Sequence, residues 1–144
     1  MEEINWMQML AFQQELHHFS RALLTQKKKQ TLTASELELL SYLYLQTKES
    51  TPLILSRQSG MKKEAVSRCL RQLSEKEFVV KEKCPQDERS YFLILTEKGK
   101  AALRENYDSI LQPLYGLQHS MAKEFDVLFH LIQKANMQME TIQQ

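Results

Sequence analysis

The chain has 144 residues, 42% of them hydrophobic, and 19 Lys and Arg against 18 Asp and Glu give a net charge of +1. That is enough apolar material for one domain or two intimately joined subdomains, and no apolar run approaches the roughly 20 residues that span a bilayer. Two cysteines without C-x-x-C spacing and three glycines in all exclude a disulfide framework, a zinc knuckle, a P-loop and a dinucleotide fingerprint.

The start, "MEEINWMQML", is acidic and unlike a secretory signal, so a cytoplasmic protein with no membrane partner is expected. Trp6, Met9, Leu10, Phe12, Leu16, Phe19 and Leu23 then recur at three- and four-residue steps, which predicts an amphipathic helix from about Ile4 to Gln26. The basic run Lys27, Lys28 and Lys29 suits a helix C-terminus through the macrodipole. Thr33-Ala-Ser-Glu36 is a capping box and predicts the next helix, with Leu37, Leu40, Leu43 and Tyr44 on its apolar face. Its end is expected near Thr47, ahead of Pro52.

"LILSRQSG", from Leu53 to Gly60, suits one or two docked helical turns ending in a left-handed glycine cap. "MKKEAVSRCLRQLSEKEF", from Met61 to Phe78, predicts a helix directly after that corner, and the pair has the pattern of a helix-turn-helix. On the second helix Val66, Cys69, Leu70 and Leu73 share one side, Glu64, Arg68, Arg71 and Glu75 the other, with Ala65 and Ser67 on the flanks. Between Arg57 and Lys83 there are eight basic residues against four acidic ones. Such a local excess suits a polyanion as well as an ordinary solvated face.

In a major groove the outward face has work for each residue type. Arg68 can donate two bonds to a guanine, Ser67 can reach a base or phosphate, Glu64 can accept from cytosine, and Lys62 and Lys63 sit where phosphates pass. The alternative is a charged solvent face with Glu64 and Arg68 as an i,i+4 pair. "FVVKEK" and "SYFLIL", separated by "CPQDER", read as a β-hairpin. Pro85 opens its loop, and the spacing of Asp87 and Arg89 allows a carboxylate to brace a guanidinium. A helix-turn-helix followed by a hairpin is a winged helix, with Arg89 placed to enter a minor groove.

Thr96 is expected to cap a helix from about Glu97 to Leu114, kinked at Pro113. After "GLQHS" a last helix runs from Met121 to about Ile142, with Phe125, Leu128, Phe129, Ile132 and Met139 on one stripe. Neither it nor the first helix has an obvious partner in the small winged domain, so both are expected to pack with each other and with a symmetry mate. The expected fold is therefore mainly α, a winged helix-turn-helix of about six helices and a two-stranded wing. Its expected parts are an N-terminal dimerisation helix at residues 1–30, a DNA-binding domain at 31–98 and C-terminal dimerisation helices at 99–144.

No histidine pair or carboxylate keeps metal-ligand spacing, and no nucleophile–base pair emerges, so neither a cofactor nor an enzyme is expected. Cys69 reads as a small core hydrophobe, whereas Cys84, beside Lys83, is the candidate for a redox-active thiolate.

From Leu55 to Leu103 the residues resemble the winged helix-turn-helix of the MarR-type bacterial transcriptional regulators. The resemblance rests on the Gly60-Met61 corner, Val66-Ser67-Arg68, Leu73 with "EKEFV", the Asp87-x-Arg89 wing and "LTEKG" from Leu95 to Gly99. It implies a homodimeric regulator of double-stranded DNA, most often a repressor on a palindromic operator, with a small-molecule or redox input in many members. The family roles of Lys63, Ser67, Arg68 and Arg89 carry over by position. The chain departs from the pattern at Glu77-Phe78, where the family usually has glycine at the helix exit. It departs again at Glu88, where arginine is common, and at Glu64 and Ala65, which replace small hydroxyl residues. The same residues leave open a winged-helix protein-interaction module that binds DNA weakly or not at all, an alternative suggested by Glu64, Glu88 and the near-neutral net charge.

Overall fold

A computed structural model describes residues 5–24, 30–46 and 48–143, apart from the side chain of Glu88. The predicted start at Ile4, the end at Gln26, the basic run at 27–29 and the helix end at Thr47 lie outside the described residues. The elements in chain order are α1 (Trp6–Leu23), α2 (Ala34–Leu45), α3 (Pro52–Ser59), α4 (Lys63–Glu75), β1 (Val79–Cys84), β2 (Asp87–Leu95), α5 (Glu97–Ile110), α6 (Gln112–Met121) and α7 (Lys123–Ile142). The chain divides into two compact units, residues 28–108 on one side and the terminal segments 1–27 and 109–144 on the other.

The first unit is a winged helix-turn-helix. Thr33 and Glu36 form the expected capping box, with Glu36 N–H donating to Thr33 Oγ1 at 3.1 Å and Thr33 N–H to Glu36 Oε1 at 3.1 Å. Pro52 stands in the first turn of α3, where its missing N–H costs nothing, and the Thr51 hydroxyl accepts from Ile54 N–H. Gly60 ends α3 at φ +71°, and α4 starts three residues later, at Lys63. Leu37, Leu39, Leu40, Leu55, Val66, Leu70, Leu73, Val79 and Leu93 are buried together. At about 1.5–3 kcal/mol for each fully buried large side chain, they hold α2, α3, α4 and the hairpin as one body.

The hairpin is antiparallel, pairing Val79 with Leu95 through Lys83 with Tyr91, then shifts register so that Cys84 meets Asp87. The wing is thus tighter than the loop expected from "CPQDER": its strands reach to either side of Pro85-Gln86. Ser50 adds a one-residue bridge to Leu93 on the outer edge of β2.

The second unit contains α1, α6 and α7, and α6 touches both of the others. Asn5 and Gln8 cap α1 reciprocally. The single kinked helix expected at Pro113 is two helices, since Pro113 opens α6 rather than bending α5. "GLQHS" is likewise helical, and the chain breaks after it, at Ala122, with φ +51° and ψ −120°. The described residues therefore hold seven helices where about six were expected. None of α1, α6 and α7 contains a buried residue, and Trp6, Phe12, Leu16, Val127, Leu131 and Met139 are exposed. Among the described residues no helix is long and apolar enough to cross a membrane.

Candidate nucleic-acid interface

Helix α4 separates its faces as its sequence requires. Val66, Cys69, Leu70 and Leu73 are buried, Lys62, Lys63, Glu64, Ser67, Arg68 and Arg71 are exposed, and Ala65 is intermediate. Lys62 is the N-cap, so its side chain and that of Lys63 project where the helix enters. Glu64 and Arg68 do not form the i,i+4 pair, and among the described residues Lys62, Lys63, Arg68, Arg71 and Arg89 have no carboxylate partner. Their charge is left for whatever approaches the helix.

The wing corrects one expectation. Asp87 does not brace the Arg89 guanidinium; its Oδ1 accepts from the Arg89 backbone N–H at 3.0 Å and its Oδ2 from the Ser90 hydroxyl at 3.2 Å. A short carboxylate two residues before an amide closes an Asx-type turn, so Asp87 shapes the tip and leaves the guanidinium unpaired. The Glu88 side chain lies outside the described residues. Tyr91, which no local sequence signal marks, carries the Lys81 ammonium 4.7 Å from its ring centroid, a contact worth about 0.5–1 kcal/mol when exposed.

The helix-turn-helix and the wing enclose a groove of about 340 Å³. Residues 51–53 at the start of α3, Lys63 and Ser67 from α4, and Arg89, Ser90 and Tyr91 from β2 line it. Two unpaired cations, four hydroxyl-bearing residues and the positive end of α3 thus line one space, a donor set matched to phosphate oxygens. Of the other predicted site residues, Lys62, Glu64, Ala65, Arg68, Arg71 and Asp87 are not among the lining residues.

What aims α4 is a set of contacts at its exit. Phe78 N–H donates to Leu73 O at 2.9 Å and Glu77 N–H to Ser74 O at 3.0 Å, a Schellman closure. It places Glu77 at φ +63° without a glycine. The Thr96 hydroxyl donates to Glu77 O at 2.7 Å and accepts from Gly99 N–H at 2.9 Å, capping α5 as expected. Gly99 has no room for more, because a β-carbon there would stand 2.3 Å from Phe78 O. Lys76 Nζ donates to Glu36 Oε2 at 2.6 Å. Burial pushes the Glu36 carboxyl up, but Lys76 and the Thr33 amide outweigh it and leave the pKa below the usual 4.5.

Asn106, buried in α5, accepts at Oδ1 from Thr31 and Leu32 N–H and donates to Ala102 O, which fixes the approach to α2. No local signal in the sequence distinguishes it from a surface asparagine. Burial raises the Cys69 thiol to about 11, so it stays protonated and packs as a small hydrophobe. Cys84 is a half-buried free thiol at the base of the wing. No group of His, Cys, Asp and Glu that could hold a metal ion occurs among the described residues.

The family model described as transcriptional regulator SarA/Rot matches residues 21–105, more than half of the chain. No curated sequence matches significantly. Wild-type MarR from E. coli in its apo form is 23% identical, with a TM-score of 0.64 over 93% of this chain and 98% of that one. A mutant of the same protein complexed with operator DNA is 20% identical, with a TM-score of 0.67 over 92% of this chain and 99% of that one. BpsR from Bordetella bronchiseptica, whose DNA binding is regulated by 6-hydroxynicotinic acid, is 19% identical, with a TM-score of 0.63 over 85% of this chain and 98% of that one.

Proposed function

The chain belongs to the SarA/Rot family of transcriptional regulators, and from that premise we propose that it acts in the cytoplasm as a homodimeric repressor of a palindromic operator. The observation that carries the reading is the unpaired basic face of α4 beside an unpaired Arg89 on the wing. Helix α4 enters the major groove, where Arg68 reads guanine, Ser67, Glu64 and Ala65 meet neighbouring base edges, and Lys62, Lys63 and Arg71 meet phosphates. The wing follows the minor groove with Arg89, its backbone shaped by Asp87.

The dimer half of the proposal rests on the second unit. Helices without a fully buried residue that expose Trp6, Phe12, Leu16, Val127 and Leu131 offer apolar side chains of the kind a protein interface covers. A second copy covers them by two-fold symmetry, and the same symmetry presents two α4 helices to half-sites about 34–36 Å apart. A small-molecule effector that shifts this spacing is part of the proposal, by analogy with BpsR.

Selection of bound duplexes from a random pool tests the reading. A two-fold repeated motif, with log affinity falling linearly against log salt, is the expected result. Binding without sequence preference or salt dependence overturns it.

A further inference from the structure

Of the four hydroxyl-bearing residues that line the groove between the helix-turn-helix and the wing, two are engaged. The Thr51 hydroxyl accepts from Ile54 N–H at 3.2 Å, and the Ser90 hydroxyl donates to Asp87 Oδ2 at 3.2 Å. The side chains of Ser67 and Tyr91 make no hydrogen bond among the described residues. Ser67 already belongs to the face of α4 assigned to DNA, and Tyr91 does not. Its hydroxyl is open to solvent, since among the described residues only the side-chain oxygens of Ser50 and Ser74 are both buried and unpaired. No contact within the fold accounts for that donor.

Strand alternation sorts the side chains of the hairpin. On β2, Arg89, Tyr91 and Leu93 share one face, and the pairs Lys83–Tyr91 and Lys81–Leu93 put both lysines on that face as well. Glu82, paired with Phe92, falls on the other. Lys81 stands diagonal to Tyr91 across the two strands, a spacing that long and aromatic side chains bridge. Its ammonium lies 4.7 Å from the ring centroid. Lys81 has no carboxylate partner among the described residues and is not among those that line the groove. Its contact therefore sets the plane of the ring and brings no further charge into the groove.

We propose that Tyr91 is a DNA ligand of the wing, its hydroxyl donating to a backbone phosphate oxygen in the groove that Lys63 and Arg89 also line, and that Lys81 is its positioning residue. The inference rests on the DNA-binding reading given above and adds a neutral donor to its cations. A hydroxyl bonded to a phosphate oxygen makes a charge-assisted, directional bond. A freely turning ring loses rotamer entropy when it forms that bond, and a ring already set by Lys81 loses less. Phosphates carry no sequence information, so Tyr91 adds affinity on every duplex and selects none.

Anisotropy titrations of the full chain, on the duplex recovered from the random pool and on a scrambled duplex of equal length, test the proposal. Tyr91→Phe should weaken binding to both by about five- to twentyfold, as an exposed hydrogen bond to a charged acceptor requires. Its salt slope and melting temperature should stay at the wild-type values, because neither a charge nor an internal bond is lost. Lys81→Met should weaken binding about two- to fivefold in the wild type and no further in Tyr91→Phe, and Lys81→Arg, which keeps a cation over the ring, should restore it. Equal affinity of Tyr91→Phe and wild type would overturn the ligand role. A salt slope reduced by about 0.9 in Lys81→Met would overturn the positioning role, since that lysine would then hold a phosphate itself. Wild type that binds neither duplex overturns the regulator reading and this inference together, whereas wild-type binding that Tyr91→Phe leaves unchanged overturns this inference alone.

Discussion

Lys76 Nζ stands 2.6 Å from Glu36 Oε2 and so fastens the exit of α4 to the first turn of α2. The carboxylate is buried while the lysine keeps 42% of its side-chain surface. The pair therefore positions α4 more than it stabilises the fold by its charge alone. Lys76→Met should cost about 1–2 kcal/mol, the value of a charged hydrogen bond discounted for the solvent that reaches Lys76. Urea denaturation reads it directly.

The same carboxylate sets an acid limb. Its folded pKa lies below the unfolded value, so its contribution is complete above about pH 4.5 and is lost as pH falls through the lower folded value. Melting temperature measured from pH 7 down to pH 3 should fall in the wild type. In Glu36→Gln the fall should be shallower from a lower starting point.

Glu77 occupies a left-handed position that glycine fills at lower cost. Its side chain makes only an exposed contact with Lys98 at 3.3 Å, which returns little. Glu77→Gly should raise stability by about 0.5–1 kcal/mol, the relieved backbone strain less the added unfolded-state entropy. A lower melting temperature would show that the Lys98 contact outweighs the strain.

Gly99 should show the opposite. Gly99→Ala forces a β-carbon against Phe78 O and the Leu95 side chain. It should cost about 1–3 kcal/mol, as overpacking does, and its effect should appear in the melt before it appears in DNA affinity.

Within the proposed DNA face, Arg68→Ala should cost about 1–3 kcal/mol on the preferred duplex and relax the choice of base at one position. Lys63→Ala should weaken all sequences alike and reduce the salt slope by about 0.9. Anisotropy titrations at several salt concentrations separate the two, and identical behaviour of both variants and wild type sinks the assignment.

On the apolar unit, Leu16→Glu with Leu131→Glu should convert a dimer into a monomer in sedimentation experiments. The winged unit should keep its own melting transition, because none of its buried residues is touched.

Neighbours within four positions decide a cap or a helix face, and those features were legible from residue order: the Thr33–Glu36 box, the Gly60 corner, the buried stripe Val66, Cys69, Leu70 and Leu73, and the Thr96 cap. Choices between partners far apart in the chain were not. Lys76 meets Glu36 across 40 positions and Asn106 meets Thr31 across 75, and many lysines and asparagines have the same local surroundings. Asp87 had two partners within reach, the Arg89 amide and its guanidinium, and only the folded turn decided for the amide. The groove shared by Lys63, Ser67 and Arg89 likewise exists only once α3, α4 and β2 have packed. Periodicity and capping are local free energies written in order along the chain, whereas a site is an intersection of surfaces that acquires its shape when the core closes.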